Sequence, residues 1–339
     1  MSQTVARIRI AGTGSYLPAR VVTNDEIAPG MGSSDEWIVS HTGIRSRHFA
    51  APDESASTLG AKACARALEA AGVGPEEISL VLCATSSPDY NVFPSTACLI
   101  QAAVGCVNAS AFDLSAACSG FVYGLEMARC YIACHPEAKV LLVGTETLSR
   151  CVDWSDRTVS MLFGDGAGAV VLAAAPEAGD EPTATLMGAD GTGAEFITLG
   201  GGRRVPLAED VVQTTVRQME VVYMQMQGRA VFNFAVKKMD EIIRTLCEQA
   251  GVAVTDLDLV IPHQANIRIL EAVGRRMEFP QEKIYSNLET IGNTSGASIP
   301  LCLDQAVRTG VLKDGMRVAL AGFGAGLTWG GAFLRWPYL

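Results

Sequence analysis

The chain has 339 residues, 49% hydrophobic and 18% charged, with a formal net charge of −10. That length holds two domains or one large α/β unit. The acidic balance argues against a general nucleic-acid binder, so any anionic partner needs a local basic patch.

MSQTVARIRIAG, at the start, lacks a basic segment followed by an apolar run, so no secretory signal is expected and the location should be cytoplasmic. IRIAGTGSYL (8–17) reads as a strand and loop. SASTLGAKACARALEAAG (55–72) has helical periodicity and a glycine stop. ISLVLCATS (78–86) is a buried strand. SAFDLS is a further strand, which turns at Cys118 into a long apolar helix reaching Ala133. AKVLLVGTE (138–146) and GAGAVVLAAA (166–175) are strands again. The longest strongly apolar stretch, 167–175, is too short to span a bilayer, so no membrane association is expected.

Residues 176–210 are glycine-rich and weakly periodic, and read as a connection with irregular strands. No G-x-x-x-x-G-K-[ST] occurs. GADGTGAEF lacks the strand–GxGxxG–helix context, and GFGAG (322–326) fails the dinucleotide spacing. The later part repeats the earlier one. LDLVIPHQ resembles ISLVLCAT, and RVALAGFG resembles KVLLVGTE. Their starts, 257 against 78 and 317 against 139, are displaced almost equally. GGAFLRW (330–336) takes the place of GAGAVVLA as a closing strand. The expected organisation is a duplicated core, with one half over 1–175 and the other over 176–339.

The ten cysteines form no C-x-x-C pair, and most lie in apolar stretches, so reduced buried thiols are expected. The four histidines make no ligand-like cluster, and no metal is expected. Cys118 differs from the other cysteines in context. At a strand-to-helix turn, the positive end of the helix dipole and free N–H groups should lower its pKa. Ala116, Ala117, Ser119 and Gly120 leave room for a substrate. His263 follows the buried strand LDLVI, where catalytic groups of α/β folds commonly sit. Asn293 lies in the turn IGNTSGAS, before the helix ASIPLCLDQAV. Cys, His and Asn in that order fit a papain-like protease or a thiolase-like condensing enzyme. The protease's local signature and secretory context are both lacking.

Eight stretches decide between them. They are GTGSYLP (12–18), SSDEWIVSHTGIRSRHFAAPDE (33–54), FPSTACLIQ (93–101), FDLSAACSGF (112–121), FGDGAGAVVLAA (163–174), PHQANIRI (262–269), GNTSGASIP (292–300) and GFGAGLTWGG (322–331). Through them the chain resembles β-ketoacyl-acyl-carrier-protein synthase III along nearly its whole length. The resemblance implies an α/β duplicated thiolase fold, five-layered αβαβα, working as a homodimer. It implies that Cys118 takes the acyl group of an acyl-CoA, with the backbone N–H groups of Cys118 and Ala325 as oxyanion donors. Malonyl-acyl-carrier protein would then lose carbon dioxide. His263 and Asn293 would donate to the enolate oxygen, and Phe323 would shield the departing carboxylate. No cofactor is implied.

The resemblance further places Trp37 and Arg157 about the CoA adenine and Gly228 and Asn266 along pantetheine. It places Phe93 across the dimer at the acyl pocket. Ser33 stands where the family often has Thr, His41 where an Arg commonly holds CoA phosphates, and Ala325 where many relatives have Gly. If the loop keeps an ordinary conformation, Ala325 is tolerated. In NIRILEAVGRRM (266–277), Ile267, Leu270, Val273 and Met277 have the spacing of an inward face. Arg268 and Arg275 share an outer face, with Arg276 beside them, and the family docks acyl-carrier protein on this helix. The alternative is a paralogous condensing enzyme of a polyketide or other secondary pathway, with a different primer or acceptor.

Overall fold

The structure, a computed structural model, describes residues 7–175, 183–200 and 223–339. Nine strands make two sheets: β1 (Ile8–Tyr16), β2 (Ile78–Ala84), β3 (Ser110–Leu114), β4 (Lys139–Thr147), β5 (Asp165–Ala174), β6 (Ala184–Ala189), β7 (Leu259–Pro262), β8 (Arg317–Gly324) and β9 (Thr328–Arg335). The first sheet runs β1–β5–β4–β2–β3 and the second β6–β9–β8–β7. Their pairings match in sense as well as order. In each sheet the first two contacts are antiparallel and the next is parallel. Where β3 continues the first sheet in parallel, the second has a single parallel bridge between Val260 and Ile284. Stretch 184–189, read from sequence as part of an irregular connection, is thus a regular edge strand. The expected boundary at 175/176 adjoins residues 176–182, which lie outside the described ones, as do 201–210 of the same connection.

The sequence runs explain the layers. β4 is buried along almost its whole length, so it needs cover on both faces. Helices Gly120–Cys134 and Ser298–Arg308 lie between the sheets: Phe121, Leu125, Ile299 and Leu303 share one core with Leu82, Leu142, Leu320 and Leu334. Helices Ala56–Ala71 and Thr96–Val104 cover the outer face of the first sheet. Gly228–Gln249 and Ile267–Met277 cover that of the second. The result is the five-layered αβαβα thiolase arrangement. Ser55 caps helix Ala56–Ala71 through the Thr58 N–H, and Gly72 ends it in the left-handed region, as the glycine stop required.

The expectation of buried thiols needs correction. All ten cysteines are free, but Cys98, Cys130 and Cys134 are exposed. Cys98 sits on an outer helix, and Cys130 and Cys134 lie four residues apart on the solvent side of the central helix. Apolar neighbours in sequence do not make every helical position inward. No helix among the described residues is long and apolar enough to cross a membrane.

Candidate active site

Cys118 lies past the end of β3 in a short 3₁₀ turn, Ala117–Ser119, and the α-helix begins at Gly120. Ala117 has φ 46°, a left-handed conformation that a non-glycine residue adopts at a cost, so the turn is a strained elbow. At the ends of β7 and β8 are His263 and Phe323, whose rings meet edge to face with centroids 5.4 Å apart. Asn293 is pinned between strands' ends by a parallel bridge to Phe163. All four residues, with Ala325, Gly228, Asn266 and Ser295, line one cavity of about 920 Å³.

Local hydrogen bonds aim the polar groups. Asn293 Oδ1 accepts the Ser295 N–H at 2.8 Å, which turns its amide NH₂, a donor only, to the remaining side. His263 Nδ1 lies 2.7 Å from Ser298 Oγ. That oxygen accepts the Gln264 N–H at 3.4 Å, so its proton points to Nδ1 and the imidazole hydrogen resides on Nε2. Burial pushes His263 down to about 3, so it is neutral. Two neutral donors result, suited to an oxygen that gains negative charge during reaction.

Cys118 departs from expectation. Its thiol is pushed up to about 12 by burial, which outweighs a hydrogen bond from Ser295; the Sγ–Oγ distance is 3.2 Å. Although Cys118 is partly open to the cavity, the enclosing protein rather than bulk water governs its titration. The sulfur precedes the α-helix by two residues, and a single 3₁₀ turn supplies little dipole. A buried carboxylate, Glu146, opposes the thiolate further.

The glycine-rich loop packs directly on this elbow. A Cβ on Gly324 would stand 2.7 Å from the Cys118 nitrogen, so glycine is required for the close approach. Among the described residues, the non-glycine positions in the left-handed region are Ala117, Glu278 and Ser295. Ala325 is not among them; alanine sits in this loop in an ordinary conformation.

Outside the cavity wall, Trp37 and Arg157 face each other with the guanidinium carbon 5.2 Å from the ring centroid. A ring sandwiched between them needs about 7 Å, so Arg157 must swing aside to admit one. His41, in the last turn of helix Asp35–Thr42, stacks on Trp37 at 4.0 Å and its Nδ1 lies 2.7 Å from the Trp37 carbonyl oxygen. The Ser33 hydroxyl is buried without a hydrogen-bond partner. Asn266 caps helix Ile267–Met277 through the Arg268 N–H and donates to the His41 carbonyl at 3.0 Å. Phe93 is 80% exposed, away from this cavity. On the helix, Arg268 donates to the Ser40 carbonyl, Arg275 lies 3.6 Å from Glu271, and Arg276 is held at 2.8 Å by Asp240.

Sequence reasoning passed over Ser295, Ser298 and Glu146. The only local signal for Glu146 was a carboxylate at the end of an otherwise apolar strand, KVLLVGTE.

Comparison with known proteins agrees with this geometry. Residues 112–191 match the family model described as 3-oxoacyl-[acyl-carrier-protein] synthase III, and 247–336 match its C-terminal model. A β-ketoacyl-[acyl-carrier-protein] synthase III of Xanthomonas axonopodis pv. citri is 47% identical, over 97% of this chain and 98% of that protein. The crystal structure of 3-oxoacyl-[acyl-carrier-protein] synthase III from Aquifex aeolicus VF5 is 41% identical, with a TM-score of 0.86, covering 97% of this chain and all of that one. The priming β-ketosynthase of the R1128 polyketide pathway is 38% identical, also with a TM-score of 0.86 and 97% coverage of each chain.

Proposed function

Since the chain belongs to the 3-oxoacyl-[acyl-carrier-protein] synthase III family, we propose that it condenses an acyl-CoA primer with malonyl-acyl-carrier protein, with loss of carbon dioxide, to start fatty-acid synthesis. The observation that carries this reading is the pair of neutral donors, His263 and Asn293, sharing a cavity with a nucleophilic thiol.

Cys118 takes the acyl group, and the N–H groups of Cys118 and Ala325 bind the tetrahedral oxyanion. Malonyl thioester then fills the same cavity. As its C–C bond breaks, charge builds on the thioester oxygen, where the Nε2–H of His263 and the amide of Asn293 donate. Neutral donors suit this step better than a cation, which would hold the carboxylate in the ground state. Phe323 presents an apolar ring to the departing carboxylate. The carbanion attacks the acyl-Cys118 carbonyl and releases the thiol. This chemistry calls for no metal or redox cofactor.

Ser33, Trp37 and Arg157 hold the CoA adenine end, and Gly228 and Asn266 border pantetheine. Arg268, Arg275 and Arg276 receive the acidic carrier protein, with Arg275 the most exposed of them. The enzyme works in the cytoplasm as a homodimer. Support comes from the edge strand β3, where Phe112 is 44% exposed, and from exposed Val107 and Phe93 nearby in the chain. An apolar sheet edge of this kind needs cover, and a second copy supplies it while bringing Phe93 to the partner's acyl pocket.

The test is covalent capture. After exposure to an acyl-CoA panel, mass spectrometry should find the acyl group on the Cys118 peptide, and Cys118→Ser should abolish it. Acylation persisting on that peptide in the variant would reject the nucleophile. The R1128 relative favours a second reading, a priming condensation in another acyl-chain pathway; the preferred primer in the panel separates the two.

A further inference from the structure

Acylation of Cys118 leaves one proton without a described destination. The thiol is protonated at neutral pH. His263 cannot receive that proton at Nδ1, which is occupied by Ser298, nor at Nε2, which already carries hydrogen. The group in contact with the sulfur is the Ser295 hydroxyl, at 3.2 Å. Its place is imposed by the backbone: Ser295 has φ 45° and its N–H is anchored on Asn293 Oδ1.

Behind Ser295 lies Glu146, at the end of β4, with no exposed surface. Its carboxylate accepts from the Ser86 N–H at 3.0 Å, the Ser87 hydroxyl at 2.6 Å and the Gly296 N–H at 3.3 Å. No cation accompanies it among these contacts. The titratable groups that feel its charge are Cys118, Cys83 and Cys151, all thiols raised by burial. The Ser295 hydroxyl is a further donor to this carboxylate. A serine has one proton, and a carboxylate can only accept. The proton of Ser295 therefore points to Glu146, and its lone pair faces the thiol.

We propose that Ser295 and Glu146 form the proton path for the acylation of Cys118. This rests on the reading that Cys118 is acylated by acyl-CoA. As sulfur attacks the thioester carbon, the thiol proton passes to the Ser295 oxygen while the Ser295 proton passes to Glu146. When the tetrahedral intermediate collapses, the C–S bond to CoA breaks. The departing thiolate takes the proton back by the same path, so CoA leaves as its thiol and Glu146 returns to carboxylate. Ser295 touches the reacting sulfur; Glu146 acts through it as a positioning and proton-holding residue.

The experiment measures single-turnover acylation by acetyl-CoA across pH 5–9, with peptide-resolved iodoacetamide alkylation of Cys118 as a second readout that does not depend on CoA. In the native protein both rates should rise through a step near neutrality, as Glu146 ionises to its about 7 midpoint. Glu146→Gln, isosteric, should lose that step. Ser295→Gly, which accepts the left-handed backbone without strain, should slow acylation about a hundredfold, while carbon dioxide release from malonyl thioester changes less than threefold. Loss of both reactions together, or unchanged acylation with the pH step intact, overturns the path. Native protein that alkylates but never acylates at Cys118 refutes the condensing reading instead, and the alkylation profile of the variants still decides the relay. Should Glu146→Gln fail to fold, the acylation rate of Ser295→Gly by itself supports or overturns the path.

Discussion

His263 Nδ1 and Ser298 Oγ are 2.7 Å apart, and that contact sets which imidazole nitrogen can donate into the cavity. Ser298→Ala removes the hydroxyl that supplies Nδ1 and frees the ring to adopt the other tautomer. Decarboxylation should slow by about ten- to a hundredfold, with KM for the malonyl thioester little changed. Acylation of Cys118 should persist. His263→Ala and Asn293→Ala should give the stronger form of the same split, acylating but releasing almost no carbon dioxide. Carbon dioxide release unchanged in both would remove them from the mechanism.

Gly324 makes room for the Cys118 backbone. A methyl there stands 2.7 Å from the Cys118 nitrogen and 3.2 Å from the Ala117 Cβ, and backbone must shift. Gly324→Ala should displace an oxyanion donor and cut the acylation rate by about a hundredfold or more. Stopped-flow release of CoA thiol measures it; an unchanged rate would show that the loop absorbs the methyl.

Arg47 is fully buried, and burial lowers it to about 10. Its guanidinium donates to Asn24 Oδ1 at 2.6 Å and to the Met161 carbonyl at 2.9 Å. Asn24 in turn donates to Asp35, at the start of the helix bearing Trp37. Arg47→Met leaves two buried acceptors unpaired and should cost about 3 kcal/mol, read from urea unfolding. Equal midpoints for variant and native protein would contradict this.

Two buried groups give opposite pH slopes. The folded-state pKa of Glu146 is raised from 4.5 to about 7, so its contribution is fully present below the unfolded value and is lost as pH rises through 7. His263 is lowered from 6.5 to about 3, so its contribution is present above the unfolded value and is lost as pH falls toward 3. Between pH 5 and 8 the Glu146 loss is about 3 kcal/mol at most. Glu146→Gln should flatten the decline between pH 5 and 8, measured by denaturant unfolding at both ends. A decline as steep as the native one would assign it to other groups.

Arg275 and Arg276 are adjacent but not equivalent. Arg276 is tied to Asp240, which also holds Arg244, whereas Arg275 is 71% exposed beside Glu271. Arg275→Glu should raise KM for the carrier-protein substrate about tenfold, more so at low salt, and leave acylation by acyl-CoA unchanged. An unaltered KM would place docking elsewhere.

Much of this protein was legible in its sequence. The alternation of strands and helices, the repeated strand pairs and the glycine stop at Gly72 are local patterns, set by side-chain period and backbone freedom. Cys118, His263 and Asn293 were readable as candidates because each follows or precedes an element whose end is marked locally. Tertiary structure alone decided the rest. Cys118 and Ser295 are 177 positions apart, and Glu146 and Gly296 are 150 apart. No local pattern encodes such contacts; they arise where the two repeated sheets enclose a pair of helices. The same enclosure reversed the expected titration of Cys118, because desolvation sums over everything packed around the sulfur, whereas the helix dipole acts only within its first turn. Exposure of Cys98, Cys130 and Cys134 was likewise settled by which helix face each layer covers.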